Sequence, residues 1–203
     1  MLQAKKKSII LLTIFTLLLV RVITLFHPVP GYAPIYCKRA MIHLKKNEIT
    51  QAISQFDKAV FHDPTYAESY YQLGLLYEMQ NNREKELINF KKVVDLNAED
   101  KPYAKAYFET GKYDYEQGQY IPAILSLRRS IFLDQNFLES YNYLGRSYFK
   151  IGDILNAKRQ AYNLNSRMHG STEIRERGQP ILDDMGQFLG LETKNGLDFR
   201  NRP

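Results

Sequence analysis

YYQLGLLY, from Tyr70 to Tyr77, is the stretch on which the reading of the whole chain turns. A small residue, Gly74, stands four places after the first tyrosine, and apolar or aromatic side chains return at helical spacing. Three other stretches have the same form: YCKRAMIH from Tyr36, YFETGKYD from Tyr107 and YNYLGRSY from Tyr141. Their starts lie 34, 37 and 34 residues apart. Self-similarity at such a period marks an array of stacked supersecondary units.

With the tyrosines aligned, the other columns fall into register. The small residue is Ala40, Gly74, Gly111 or Gly145, which lets a second helix approach closely. Asn47, Asn81, Gly118 and Gly152 follow, residue types that can take the left-handed conformation ending a helix. Ala52, Glu86, Ala123 and Ala157 come next, where the second helix would cross the first. Phe56, Phe90, Leu127 and Ala161, then Ala59, Val93, Ser130 and Leu164, complete its buried side. His62-Asp63-Pro64 and Asp95-Leu96-Asn97 mark the turns that close the first two units, and a three-residue insertion falls near Glu99–Pro102.

This pattern resembles the tetratricopeptide-repeat (TPR) family, whose helix-turn-helix units are about 34 residues long. The resemblance runs from about Ala33 to Gly170 and implies an all-α helical solenoid of four units. Some positions depart from it. Glu86 replaces the alanine of its column and is expected to crowd the helix crossing. Arg39 and Thr110 stand where Leu73 and Leu144 do, and His43 and Asp114 where Tyr77 and Tyr148 do. The first and third units are therefore expected to pack loosely. After the fourth unit, Ile174 to Leu191 reads as a capping helix with Ile181, Met185, Phe188 and Leu189 on its apolar side. Pro180 is expected to split it, and Asn195–Pro203 to fray.

At the other end, Ser8 to Val20 carries no charge, and after Arg21 the apolar run resumes to Phe26. As a helix, residues 8–26 would span roughly 28 Å, close to a hydrocarbon core. They read as an N-terminal transmembrane anchor or a signal peptide. The clean basic run Lys5–Lys7 would stay cytoplasmic. The expectation is a single-pass membrane protein with its C-terminal domain on the non-cytoplasmic, periplasmic side. Arg21 near the far end would snorkel to the headgroups. Pro28, Pro30 and Gly31 make His27–Tyr32 a stiff spacer. The organisation expected is anchor 1–26, linker 27–32, repeats 33–170, and cap with tail 171–203.

Function has to be carried by a surface. Hydrophobic residues are 44% of the chain, enough for a real core. Fifteen Tyr, 11 Phe and no Trp suit long surfaces on which one end of a side chain packs and the other stays wet. The net charge of +6 is dispersed among acids, so no nucleic-acid face stands out. The four histidines are scattered, Cys37 is alone, and no metal, phosphate-loop or nucleophile motif appears. The chain is read as no enzyme, without cofactor, metal or catalytic residues.

The TPR resemblance implies a concave groove lined by the first helices. Its positions would be Cys37 and Met41, Tyr71 and Leu75, Phe108 and Lys112, Asn142 and Arg146, joined one turn on by Leu44, Glu78, Tyr115 and Phe149. The half of the groove nearer the N-terminus would be apolar, and the other half cationic. Lys112, Asn142 and Arg146 would suit one carboxylate, although the full carboxylate clamp of some family members is absent. A peptide or amphipathic helix with apolar anchors and an acidic end fits this description. Tyr71, Phe108 and Tyr115 could equally serve to pack neighbouring units together. The reading is a membrane-tethered protein-interaction scaffold; the alternative is a constitutive accessory subunit or assembly factor of a larger membrane complex.

Overall fold

The computed structural model describes residues 13–16, 28–168, 172–190, 192–193 and 196–197. The four residues singled out as helix-enders, Asn47, Asn81, Gly118 and Gly152, all lie in the left-handed region, at φ of 60°, 55°, 73° and 81°. At each of them the chain reverses between paired helices. The first hairpin is α1 (Ala33–Lys45) and α2 (Ile49–His62), and the second is α3 (Ala67–Met79) and α4 (Arg83–Asp95). The third is α5 (Ala104–Glu116) and α6 (Tyr120–Leu133), and the fourth α7 (Leu138–Lys150) and α8 (Ile154–Met168). A last helix, α9 (Thr172–Leu189), follows. Glu192–Thr193 pairs antiparallel with Gly196–Leu197. Part of the tail expected to fray is thus tied, and the described residues are helical apart from this pairing and the turns.

The chain divides into two units, one ending at Ser69 and the other beginning at Tyr70, inside α3. In the first, Ala33, Cys37 and Ala40 of α1 are buried, as are Ala52, Phe56 and Ala59 of α2. The segment leading into α1 is docked and does not stand off as a spacer. The Val29 N–H donates to His62 Nδ1 at 3.0 Å, and the Tyr32 and Tyr36 rings lie 5.6 and 5.1 Å from the His62 ring.

In the second unit the small-residue column has a visible cause. A Cβ on Gly74 would fall 2.5 Å from the Phe90 ring, and one on Gly111 2.8 Å from Leu127 Cγ. At Gly145 the space is filled by Met185 of α9, whose Cε would be 2.1 Å away. Phe90, Leu127 and Met185, which make these contacts, are fully buried, each worth about 1.5–3 kcal/mol of burial.

Two expectations are corrected here. The third hairpin is not loose: α5 buries Ala104, Ala106 and Tyr107 through Gly111, and also Asp114. It has packed helices on both sides, and α4 sends cations to its acids. Arg83 Nη1 donates to Glu109 Oε2 at 2.8 Å and also to Glu86, while Lys91 Nζ lies 4.0 Å from Asp114. Glu86 is therefore one arm of a bridge between α4 and α5 and not merely an intruder at the crossing.

Nor does Pro180 split α9, which runs unbroken from Thr172 to Leu189. The proline is exposed, so the carbonyl it leaves unpaired is on the outer side. Gly178 before it and Leu182, Met185 and Leu189 after it are all buried. With Leu138, Tyr141, Ala157, Ala161, Leu164 and Met168 these last three form one cluster, joined at its edge by Ile174, Ile181 and Phe188.

The proposed anchor, residues 8–26, lies outside the described residues except for Thr13–Thr16, which are helical and exposed. Among the described residues no helix is long and apolar enough to cross a membrane.

Candidate functional site

Nine of the twelve groove positions read from the sequence lie in the second unit; Cys37, Met41 and Leu44 of α1, of which Met41 is exposed, lie in the first. Of the nine, Tyr71 and Phe108 are almost fully buried, at 8% and 7% exposure. Tyr71 packs edge-on to Tyr103 at 5.3 Å and lies 6.0 Å from Phe90. These two rings act mainly as packing between repeats. Leu75, Lys112 and Tyr115 are half-buried and offer surface.

Phe108 begins a chain of rings along α5 and α7. Its ring is 5.0 Å from Phe137 and 5.7 Å from Tyr143; Tyr143 is 5.5 Å from Tyr115, which is 5.7 Å from Tyr120. The Lys112 ammonium sits 5.9 Å from the Tyr143 ring centre, a cation–π arrangement that leaves its donors open to a ligand. Tyr143 joins the parts of this face, yet the column reasoning passes over it, because it stands two places after the tyrosine and not one. Its only sequence signal is the Tyr141-x-Tyr143 alternation. Beside the chain, Tyr71, Pro102, Lys105 and Phe137 help to line a cleft of about 360 Å³.

The cationic end is occupied from within. Asn142 Nδ2 and Arg146 Nη2 both donate to Asp184 Oδ2 of α9, at 2.8 and 2.6 Å. Arg146 Nε also donates to Asn142 Oδ1 at 3.0 Å, and its guanidinium lies 4.6 Å from the Phe188 ring centre. Phe188 in turn meets Phe149 at 5.3 Å. Asp184 is thus the carboxylate for which Asn142 and Arg146 are suited. Glu78 is likewise engaged, accepting from Lys105 Nζ at 2.8 and 2.7 Å. Lys112 alone of the groove cations makes no ion pair among the described residues.

Electrostatically, the buried acids are held against their preference. Burial pushes the Glu86 carboxyl above its usual range, only partly offset by Arg83. Burial does the same to Asp114, with Lys91 opposing it. The Cys37 thiol is raised by burial and then by the nearby Glu68 charge, the reverse of an activated nucleophile. Among the described residues no three His, Cys, Asp or Glu gather as metal ligands. His43 Nδ1 lies 2.6 Å from Glu48, and His62 holds Val29.

A family model described as TPR repeat matches residues 40–81, and one described as tetratricopeptide repeat matches residues 67–100. The small glutamine-rich tetratricopeptide repeat-containing protein 2 of Saccharomyces cerevisiae (strain ATCC 204508 / S288c) is 33% identical over 89 residues, 43% of this chain. That match spans only 26% of the yeast protein's length. Among solved structures, MamA matches with a TM-score of 0.54 at 22% identity, over 79% of this chain and 90% of that one. YrrB, described as "a TPR protein with an unusual peptide-binding site", matches with a TM-score of 0.54 at 19% identity, over 76% and 82%. At these identities the likeness is one of fold. The registered hairpins, the left-handed turns and these matches together show that the chain carries tetratricopeptide repeats.

Proposed function

We propose that this protein is a membrane-tethered scaffold. It holds a peptide or helix of a partner protein on the first-helix face of its repeats, on the non-cytoplasmic side of the membrane. The observation that carries the reading is the ring chain Phe108–Tyr143–Tyr115 with Lys112 above it, a partly open aromatic strip with one unneutralised cation. Such a strip suits apolar anchors next to an acidic group. Asn142 and Arg146 border it, but Asp184 already uses their donors. Lys112 is therefore the residue to which a partner's acid is assigned. The peptide-binding site named for YrrB belongs to that protein; it supports the reading only as an example of what this fold can do. The tether rests on the uncharged run Ser8–Val20 and its basic flank Lys5–Lys7.

One fractionation tests both halves. The full chain should stay in the membrane pellet through an alkaline carbonate wash and retain a bound partner there, whereas Lys112→Glu should stay in the pellet but lose the partner. A chain found in the wash contradicts the tether, and a partner retained by Lys112→Glu contradicts the binding face. Recovery in one large complex of fixed composition, indifferent to Lys112, would replace the scaffold with an accessory subunit.

A further inference from the structure

On its other side the second unit opens a cleft of about 570 Å³ between α6 and α8, floored by α7. That volume is ordinary for a ligand site. Arg128 of α6 and Arg167 of α8 supply guanidinium groups to its walls, and none of the residues lining it is acidic. Phe132, 70% exposed, forms an apolar lip. Tyr141 lies on the floor with Arg167 beside its hydroxyl.

The preceding junction shows what such a place holds when it is complete. Tyr107 is the counterpart of Tyr141 one repeat earlier, and Arg129 lies beside its hydroxyl. The Arg129 guanidinium is paired with the carboxylate of Glu99, which belongs to the three-residue insertion after α4. The turn after α6 has no insertion, and Gln135 borders the cleft there. The one acid of that turn, Asp134, lies 3.4 Å from Lys101 Nζ and accepts from the Asn136 N–H. The later junction thus keeps the tyrosine, has Asn163 in the column of Arg129 with an arginine, Arg167, one turn further along α8, and lacks the carboxylate.

We infer that this cleft binds an acidic, extended peptide segment of a partner protein. Arg167 takes a carboxylate as Arg129 takes Glu99, Arg128 takes a second, and an apolar side chain between them rests on Phe132. A peptide is favoured over a single small anion by the length of the wall. From Gln160 to Arg167 α8 runs about 10 Å, room for about three extended residues, with Asn163 between them able to pair with a peptide backbone. This site is separate from the aromatic strip and stands or falls independently of it.

The test is fluorescence anisotropy on the full chain in detergent. The probe is a labelled, end-capped heptapeptide with Glu at its third and fifth positions and Leu at the fourth. Its counterpart with Gln at both places should bind at least about tenfold more weakly, as should either Arg167→Gln or Arg128→Gln toward the Glu peptide, the weight of one hydrogen bond to a charged group. Gln135→Glu, which puts an acid on the turn as Glu99 is placed, should weaken binding similarly, and Lys92→Gln, at an exposed lysine of α4 outside both sites, should leave it unchanged. Arg128 is exposed, so its variant keeps the test sound even if Arg167→Gln fails to fold. Equal binding of both peptides overturns the inference. So does indifference to Arg128→Gln, loss of binding in Lys92→Gln, or equally tight competition by free glutarate.

Discussion

Asp114 shows how a single side chain reports on its surroundings. It stands where Tyr77 and Tyr148 stand in other repeats, is 7% exposed, and has Lys91 4.0 Å away as its counter-charge. Burial raises its folded pKa above the unfolded value. The native state therefore holds this proton to higher pH than the unfolded chain, and stability from this group falls as pH rises through that window. Asp114→Asn should raise stability at pH 7 by on the order of 1 kcal/mol, the size of an ordinary single-site effect. The gain should shrink as pH is lowered through the carboxylate range. Urea melts of both proteins at pH 7 and pH 4.5 would show it, and a destabilised variant at pH 7 would contradict it. The sequence marked Asp114 as a departure, but the one cation that offsets its burial, Lys91, comes from α4, a repeat away. No column alignment displays such cross-repeat pairs, and the Arg83 bridge from Glu86 to Glu109 was hidden for the same reason.

The helices themselves were legible because each rests on local rules. Turns at Asn47, Asn81, Gly118 and Gly152 follow from the left-handed conformation those residues accept. The small-residue column follows from contact distances that leave no room for a Cβ. The last helix was read less well, since Pro180 obeys a local rule that burial on both sides of it overrides. What α9 contributes can be measured. Met185 is fully buried beside Gly145, and Met185→Ala should cost about 2–5 kcal/mol. In a repeat array that loss stays near its origin. Amide exchange should quicken in α7, α8 and α9 while α4 changes far less; uniform acceleration would mean the second unit melts as one.

At the scale of the whole molecule, the repeat architecture was readable from spacing alone, and the binding face only in outline. The positions were named from the family pattern. The structure sorts them into buried packing rings, Tyr71 and Phe108, and offered surface, Leu75, Lys112 and Tyr115. It also shows Asn142 and Arg146 held by Asp184, a contact 42 residues away in sequence from Asn142 that spacing could not foretell. The proposed partner binds the strip joining Phe108, Tyr143 and Tyr115. Site-specific cross-linking tests it most directly, with benzoylphenylalanine placed at Tyr115 or, as a control, at the exposed Ile88 of α4. One discrete protein adduct is expected from position 115, lost when Lys112→Glu is added, and none from position 88. The same adduct from both positions, or one from 115 that survives Lys112→Glu, would contradict it.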